Sequence, residues 1–358
     1  MKRFFTYTLL ALLVRGAVPG TVAAQVYPER LAIKVKARTA IEAASAYQRR
    51  SRDDNNREEQ TERITKVIKL GSSGALDLGN IAGDITVLRG NGADATIEIV
   101  KTARGRDVTD AKELLQLVQV EVTERNGRAE VKTHYPTGDE ARRGNRRNMN
   151  VSVAYNVTAP AGTRLSINSI SGDVKVTDIK GELSASTISG DVRISGAGRV
   201  GTVKTISGSV EVTDAQVDGT MESSSVSGDV LIRRVTARRL DAGSVSGNIK
   251  LDEVQCERVS GQTTSGSVWF GGPLARSGRY ELKSFSGEVR VVLSGNTGFE
   301  VQANSFSGEV RTDVPIATHG TAEPNRHGRR TVLNGTYGDG SAVLDLTTFS
   351  GSIVISKK

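Results

Sequence analysis

Carboxylates recur at one fixed place in this sequence. One residue after the glycine of a repeated Ser-Gly phrase stand Asp173, Asp191, Asp229, Glu288 and Glu309, and two positions further come Lys175, Arg193, Lys250, Arg290 and Arg311. Paired carboxylates on a stacked scaffold are the groups with which a polysaccharide hydrolase or lyase works. Trp269 shares the offset of the basic residues but stands alone, and aromatics are only 4% of the chain. A sugar-binding face needs more than one ring, so Trp269 reads as cover for a neighbouring stretch of chain. Repetition also argues against catalysis, which needs one constellation with displaced pKa values, not many copies. The two columns therefore read as a solvated face on which opposite charges relieve repulsion between like ones. Asp173, Asp191, Asp229, Lys175, Arg193 and Trp269 are its candidate binding residues.

Other chemistries find no footing. Ser171 and its equivalents have no histidine at a repeated offset, so no nucleophilic triad is suggested. One cysteine, Cys256, makes neither an internal disulfide nor, with the scattered His134, His319 and His327, a metal cluster. The nine-residue glycine-rich calcium repeat is absent. No catalytic residue, cofactor or metal is expected.

What positions these columns is a repeat. The phrase Ser169-Ile170-Ser171-Gly172-Asp173-Val174-Lys175-Val176 returns around Gly190, Gly208, Gly228, Gly247, Gly266, Gly287, Gly308 and Gly351, at spacings of 18, 18, 20, 19, 19, 21, 21 and 43 residues. Each glycine follows a serine: Ser171, Ser189, Ser207, Ser227, Ser246, Ser265, Ser286, Ser307 and Ser350. Three residues before the glycine is always Ser or Thr. Two and four residues after it come apolar pairs such as Val174 and Val176, and seven and five before it come others such as Leu165 and Ile167. Alternation with period two, carried by β-branched residues, means strands with one buried face. The parity changes between the two pairs, so the chain turns a corner.

A period of 18 to 21 residues with short strands and corners fits one coil of a β-solenoid, each strand pairing with its equivalent one coil away. Glycine lets the backbone pack at the corner without a column of Cβ atoms. The Ser and Thr hydroxyls would bond one another or the corner backbone. The residue two before the glycine is usually apolar, and Phe285, Phe306 and Phe349 at that offset read as a core stack. An earlier copy surrounds Gly83, with Leu76, Leu78, Ile85 and Val87 at the same offsets.

Between that copy and Leu165 the pattern changes. A strand at Ala95 to Val100, a helix from Thr109 to Val118, a hairpin across Asn126-Gly127 and a strand at Val151 to Val157 form an insertion able to cap one end of the stack. A looser excursion over 313–340 would account for the long last spacing. Residues 25–65, with almost no apolar residue from Gln48 to Arg63, read as a disordered or loosely helical tether. The expected organisation is thus 1–24 leader, 25–65 tether and 66–358 solenoid, the last divided into insertion (88–164), regular coils (165–312), excursion (313–340) and last coil (341–358).

These residues carry a resemblance. The repeated phrase, the leading Leu76-Asp77-Leu78-Gly79-Asn80-Ile81-Ala82-Gly83-Asp84-Ile85 and the Gly338-Asp339-Gly340-Ser341-Ala342-Val343-Leu344-Asp345-Leu346 before the last coil resemble the bacterial putative-adhesin family of unknown function, related to toast-rack and autotransporter-adhesin-head-like domains. The resemblance implies an all-β fold, a right-handed β-helix-like solenoid of about ten coils with the N-terminal α+β insertion as a cap. It brings no catalytic residues.

Met1, Lys2 and Arg3, an apolar run from Phe4 to Val14 and the small residues Val22-Ala23-Ala24 have the layout of a secretory signal cleaved before Gln25. The run is too short for a membrane span and no later stretch is long enough, so no transmembrane segment is expected after cleavage. Formal charge is +8, falling to +5 without Lys2, Arg3 and Arg15. Export makes nucleic acid a poor partner for the arginine pairs; an anionic glycan or an envelope protein fits better. The expected function is a non-enzymatic binding or structural module of the bacterial envelope, whether periplasmic, on the outer surface or secreted. Its rivals are a polysaccharide-active enzyme on the same scaffold and a binder of an ordered lattice such as ice, suggested by the Ser/Thr ladder.

Overall fold

The computed structural model describes residues 57–136, 150–318 and 331–358. The protein is all-β there, with one α-helix, Val108–Leu117, among the described residues. In each repeat the chain follows one strand to the Ser-Gly corner, turns, and continues along a second. Equivalent residues of successive repeats pair in parallel: Leu165 with Leu183 and Ser171 with Ser189 before the corner, Val174 with Val192 and Val176 with Ile194 after it. Parallel pairing in register needs a crossover between paired strands, which the rest of each repeat supplies. The inward Val, Ile and Leu side chains stack into one continuous buried core.

The order of the rungs is not the order of the sequence. Strand Ala342–Ser350 pairs on one side with Arg279–Ser286 and on the other with Phe299–Ser307. Ile353–Lys357 likewise lies between Val289–Ser294 and Val310–Thr312. The repeat of Gly308 thus leaves a gap of one rung, and the last repeat in sequence fills it. The excursion over 313–340 is more than a loop. Its strand Thr331–Tyr337 runs antiparallel along Phe299–Ser307 and also pairs with Ala317–Thr318.

At the other end, Ala75–Ala82 pairs directly with Arg164–Ser171, so the corner of Gly83 adjoins that of Gly172 although the two are 89 positions apart in sequence. The insertion lays Arg128–His134 and Val151–Pro160 in parallel on the far side of this first rung. Asp94–Gly105 is antiparallel to Val151–Pro160 and to Glu58–Lys69. The hairpin turns on Asn126 and Gly127, with φ of 48° and 72°, the left-handed pair that a two-residue turn of this kind requires. Asp107 caps the helix by accepting the N–H of Asp110 at 2.8 Å, and Ala111, Leu114 and Leu115 bury its inner face.

Part of the expected tether is corrected. Residues 58–65 belong to the strand Glu58–Lys69, which is paired along its whole length with Asp94–Gly105. Their lack of apolar residues fits a strand with mostly exposed side chains. Residues 25–56 and the leader lie outside the described residues.

Candidate binding face

The corner is held by backbone groups and short side chains acting along the stack. The carbonyl of the serine before each glycine accepts the N–H of the glycine one rung away: Ser171 from Gly83, Ser189 from Gly172, Ser207 from Gly190, Ser227 from Gly208, Ser246 from Gly228, Ser265 from Gly247, Ser286 from Gly266 and Ser350 from Gly287, all at 2.9–3.2 Å. Ser307 pairs with Ser350. The side chains of these nine serines face solvent. A Cβ built on Gly190, Gly266, Gly308 or Gly351 would overlap the carbonyl oxygen of the adjacent corner glycine, so only glycine packs there.

That glycine carbonyl receives a hydroxyl from the residue three before the next glycine. Ser225 donates to Gly208 at 2.8 Å, Ser244 to Gly228 at 3.0 Å, Thr263 to Gly247 at 2.9 Å, Ser284 to Gly266 at 2.8 Å and Ser305 to Gly351 at 2.8 Å. At the two ends the substitutes are apt. Thr331, from the closing antiparallel strand, donates to Gly308 at 3.0 Å, and the Nδ2 of Asn80 donates to both Gly83 and Val153. The Ser/Thr column therefore points inward and is mostly spent on the backbone, Ser169 alone of the column having a buried hydroxyl without a partner.

The acidic column is likewise occupied. Asp173 accepts the backbone N–H of Asp191 at 2.9 Å, Asp191 that of Ser209 at 2.8 Å, and Asp229 that of Asn248 at 2.7 Å. The remaining oxygens of Asp173 and Asp191 are bridged by Arg193, at 3.2 and 2.6 Å. Arg290 pairs with Glu288 in the same way. Lys175 lies beside Arg193 in the basic column. Trp269 lies opposite Lys250, whose ammonium is 5.1 Å from the ring centroid, and its indole covers Gly271, where a Cβ would collide with the ring. The structure brings Asp173, Asp191 and Arg193 together but uses them to knit rungs, with Trp269 four rungs from Arg193 along the column.

The face with unsatisfied surface is one the sequence pattern had placed inside. The residue two before each corner glycine points outward. In rung order the column reads Ile170, Ile188, Ile206, Val226, Val245, Thr264, Phe285, Phe349 and Phe306, and its eight apolar members are 43–56% exposed. The core stack expected of Phe285, Phe306 and Phe349 is thereby corrected: the rings do stack, with centroids 4.8 and 4.6 Å apart, but on the surface. The reason is the place of the corner. Inward positions run seven, five and three before the glycine and then two and four after it, so the parity switches at the glycine itself and the residue two before it is left outside. The hydroxyl three before the glycine continues the inward parity, and that was the available clue.

This apolar ladder runs between the outward serines on one side and a column of mostly small polar residues, including Ser186, Ser224 and Gly243, on the other; with the latter it forms an open groove across successive rungs. The two lysines flanking it, Lys204 and Lys283, are held by Glu222 and Glu281. Burial pushes the thiol of Cys256 up to about 12, leaving it protonated. Among the described residues there is no group of His, Cys, Asp and Glu able to hold a metal ion, and no helix long and apolar enough to cross a membrane.

No curated protein matches the chain. Solved structures similar to it include a "putative cell adhesion protein" from Clostridium sporogenes (12% identity, TM-score 0.24, 84% of this chain and 100% of that one). Two others are a "putative adhesin" from Bacteroides fragilis (13%, TM-score 0.37, 83% and 97%) and a "putative lipid binding protein" from Parabacteroides distasonis (15%, TM-score 0.39, 83% and 97%). Residues 74–271, more than half of the chain, match the family model Toastrack DUF4097, and the chain belongs to that family of unknown function.

Proposed function

We propose that this protein is a non-enzymatic binding or structural module of the bacterial envelope and that it works through the apolar ladder. The observation that carries this reading is the exposure of eight large apolar side chains in one column of nine rungs, interrupted only at Thr264. Each rung adds about 4.8 Å, so nine rungs span roughly 38 Å. Contiguous apolar surface of this extent marks an interaction site. The signal-like layout of residues 1–24 supports the location. The insertion at one end and Thr331–Tyr337 at the other act as caps that keep the stack finite and its edges paired.

The polar columns support the alternatives less. Carboxylates that already receive backbone N–H groups and guanidinium ions are poorly placed for acid–base work on a glycan. The same pairing leaves Arg193 and Arg290 with less to offer an anionic glycan, which favours a protein partner. A lattice binder needs a regular hydroxyl face outside; the Ser/Thr column three before the glycine faces inward, and the outward serines next to the glycine form one column beside the apolar ladder. The test is fractionation of cells producing the chain or its Ile206→Ser/Phe285→Ser variant. The reading expects the chain in the envelope or outside the cell, held in an assembly with its own copies or with other molecules, and expects the variant to fold but leave that assembly. Undiminished association of the variant would overturn it.

A further inference from the structure

We infer that the occupant of the apolar ladder is a second copy of this chain, laid antiparallel about Val245; this rests on the proposed use of the ladder as a binding face. The first argument is area. The exposed parts of the eight apolar rungs sum to roughly 700 Å², above the largest patch of a typical monomer, about 300–600 Å², and most of the roughly 800 Å² that each partner brings to a standard interface.

The second argument is shape and period. The surface is a stripe one side chain wide, with one side chain per rung. A globular partner touches such a stripe over a few rungs. A second stack of the same chain has the same rung spacing and can meet it over the full length. An acyl chain fits less well, because the groove is open and would leave one side of the chain in water, whereas small-ligand sites bury about 70–90% of their ligand.

The third argument is the sequence of rung sizes, which fixes the direction. Three isoleucines stand at one end, Val226, Val245 and Thr264 in the middle, and three phenylalanines at the other end. An antiparallel pair sets Phe349 of one copy against Ile188 of the other, and does so at both ends, keeping the stacks equally spaced. A parallel pair would set ring on ring at one end and isoleucine on isoleucine at the other, and the stacks would splay. The lysines beside the stripe already carry acidic partners, so closing the interface buries no unpaired cation there.

The test is sedimentation of the chain as its cell processes it, beside Ile188→Ser/Phe349→Ser, with cysteine cross-linking as a second reading in otherwise unaltered protein. A dimer is expected, weakened at least about tenfold in the double variant, which removes two facing apolar pairs from the interface, with far-UV circular dichroism unchanged. Val245→Cys should oxidise to a covalent dimer, Ile188→Cys alone should not, and a mixture of Ile188→Cys with Phe349→Cys should. A monomer at every concentration, a dimer indifferent to the double substitution, or self-linking of Ile188→Cys would each overturn the inference. If the monomer instead binds phosphatidylglycerol vesicles or an envelope protein through the ladder, the second copy is wrong and the binding face stands. If substitution of the ladder changes no association at all, both fall.

Discussion

The Cα of Gly228 rests against the carbonyl of Gly208 one rung away, so that any Cβ at residue 228 would overlap that oxygen. Both groups are backbone, and neither can move without shifting the rungs above and below. Gly228→Ala should therefore cost several times the roughly 1 kcal/mol typical of point mutations. Gly219 has open space around it, and Gly219→Ala should lie within about 0.5 kcal/mol of the parent or be slightly stabilising. Urea denaturation midpoints of the two variants check this, and equal midpoints would mean that the corner is not tightly packed.

Asp191 joins two rungs through the N–H of Ser209. Removal of that acceptor in Asp191→Ala should cost about 1 kcal/mol, as loss of a capping side chain does. Asp191→Asn should cost less than about 0.5 kcal/mol, because the amide of Asn248 does the same service for Ser267. Equilibrium denaturation separates this from a merely solvated carboxylate, for which both changes would be small.

Much of this was written in the repeat itself. The apolar pairs after all but one of the glycines, mostly Val and Ile, declare strands with one buried face, and the glycines mark the corners. Two features were not legible. A repeat tells which residues share a rung but not which rung is next: Ser350 matches Ser286 and Ser307 equally well, and only tertiary packing sends the last repeat between them. The outward face was misread at Phe285, Phe306 and Phe349 because an even offset was extended through a corner that reverses it. Asp173 and Asp191 stood out as charges, while their bonds to backbone N–H groups depend on the rung spacing, which the sequence does not display residue by residue.

Burial raises Cys256, Tyr155 and Tyr280 each to about 12. In the unfolded chain such groups lose their protons at lower pH, near 8.5 for the thiol and about 10 for the phenols. Above those values the unfolded state binds fewer protons than the folded one, so stability should fall as pH rises from about 9 towards 12. Melting temperatures across that range check the sign. Cys256 in the native protein should also resist a thiol reagent that labels it promptly in denaturant.

The central claim is that the column from Ile170 to Phe306 is an outward apolar face which is covered when the protein does its work. Hydroxyl-radical footprinting reads this in one measurement, because Phe285, Phe306 and Phe349 are about half exposed while Phe270 and Phe299 are fully buried in the same molecule. In purified protein diluted until it is monomeric the first three should be oxidised readily and the last two spared, and in the intact envelope all five should be spared. Protection of Phe285, Phe306 and Phe349 in the monomer would return them to the core and contradict the face. Equal oxidation in both settings would leave the ladder exposed with nothing upon it and contradict its use.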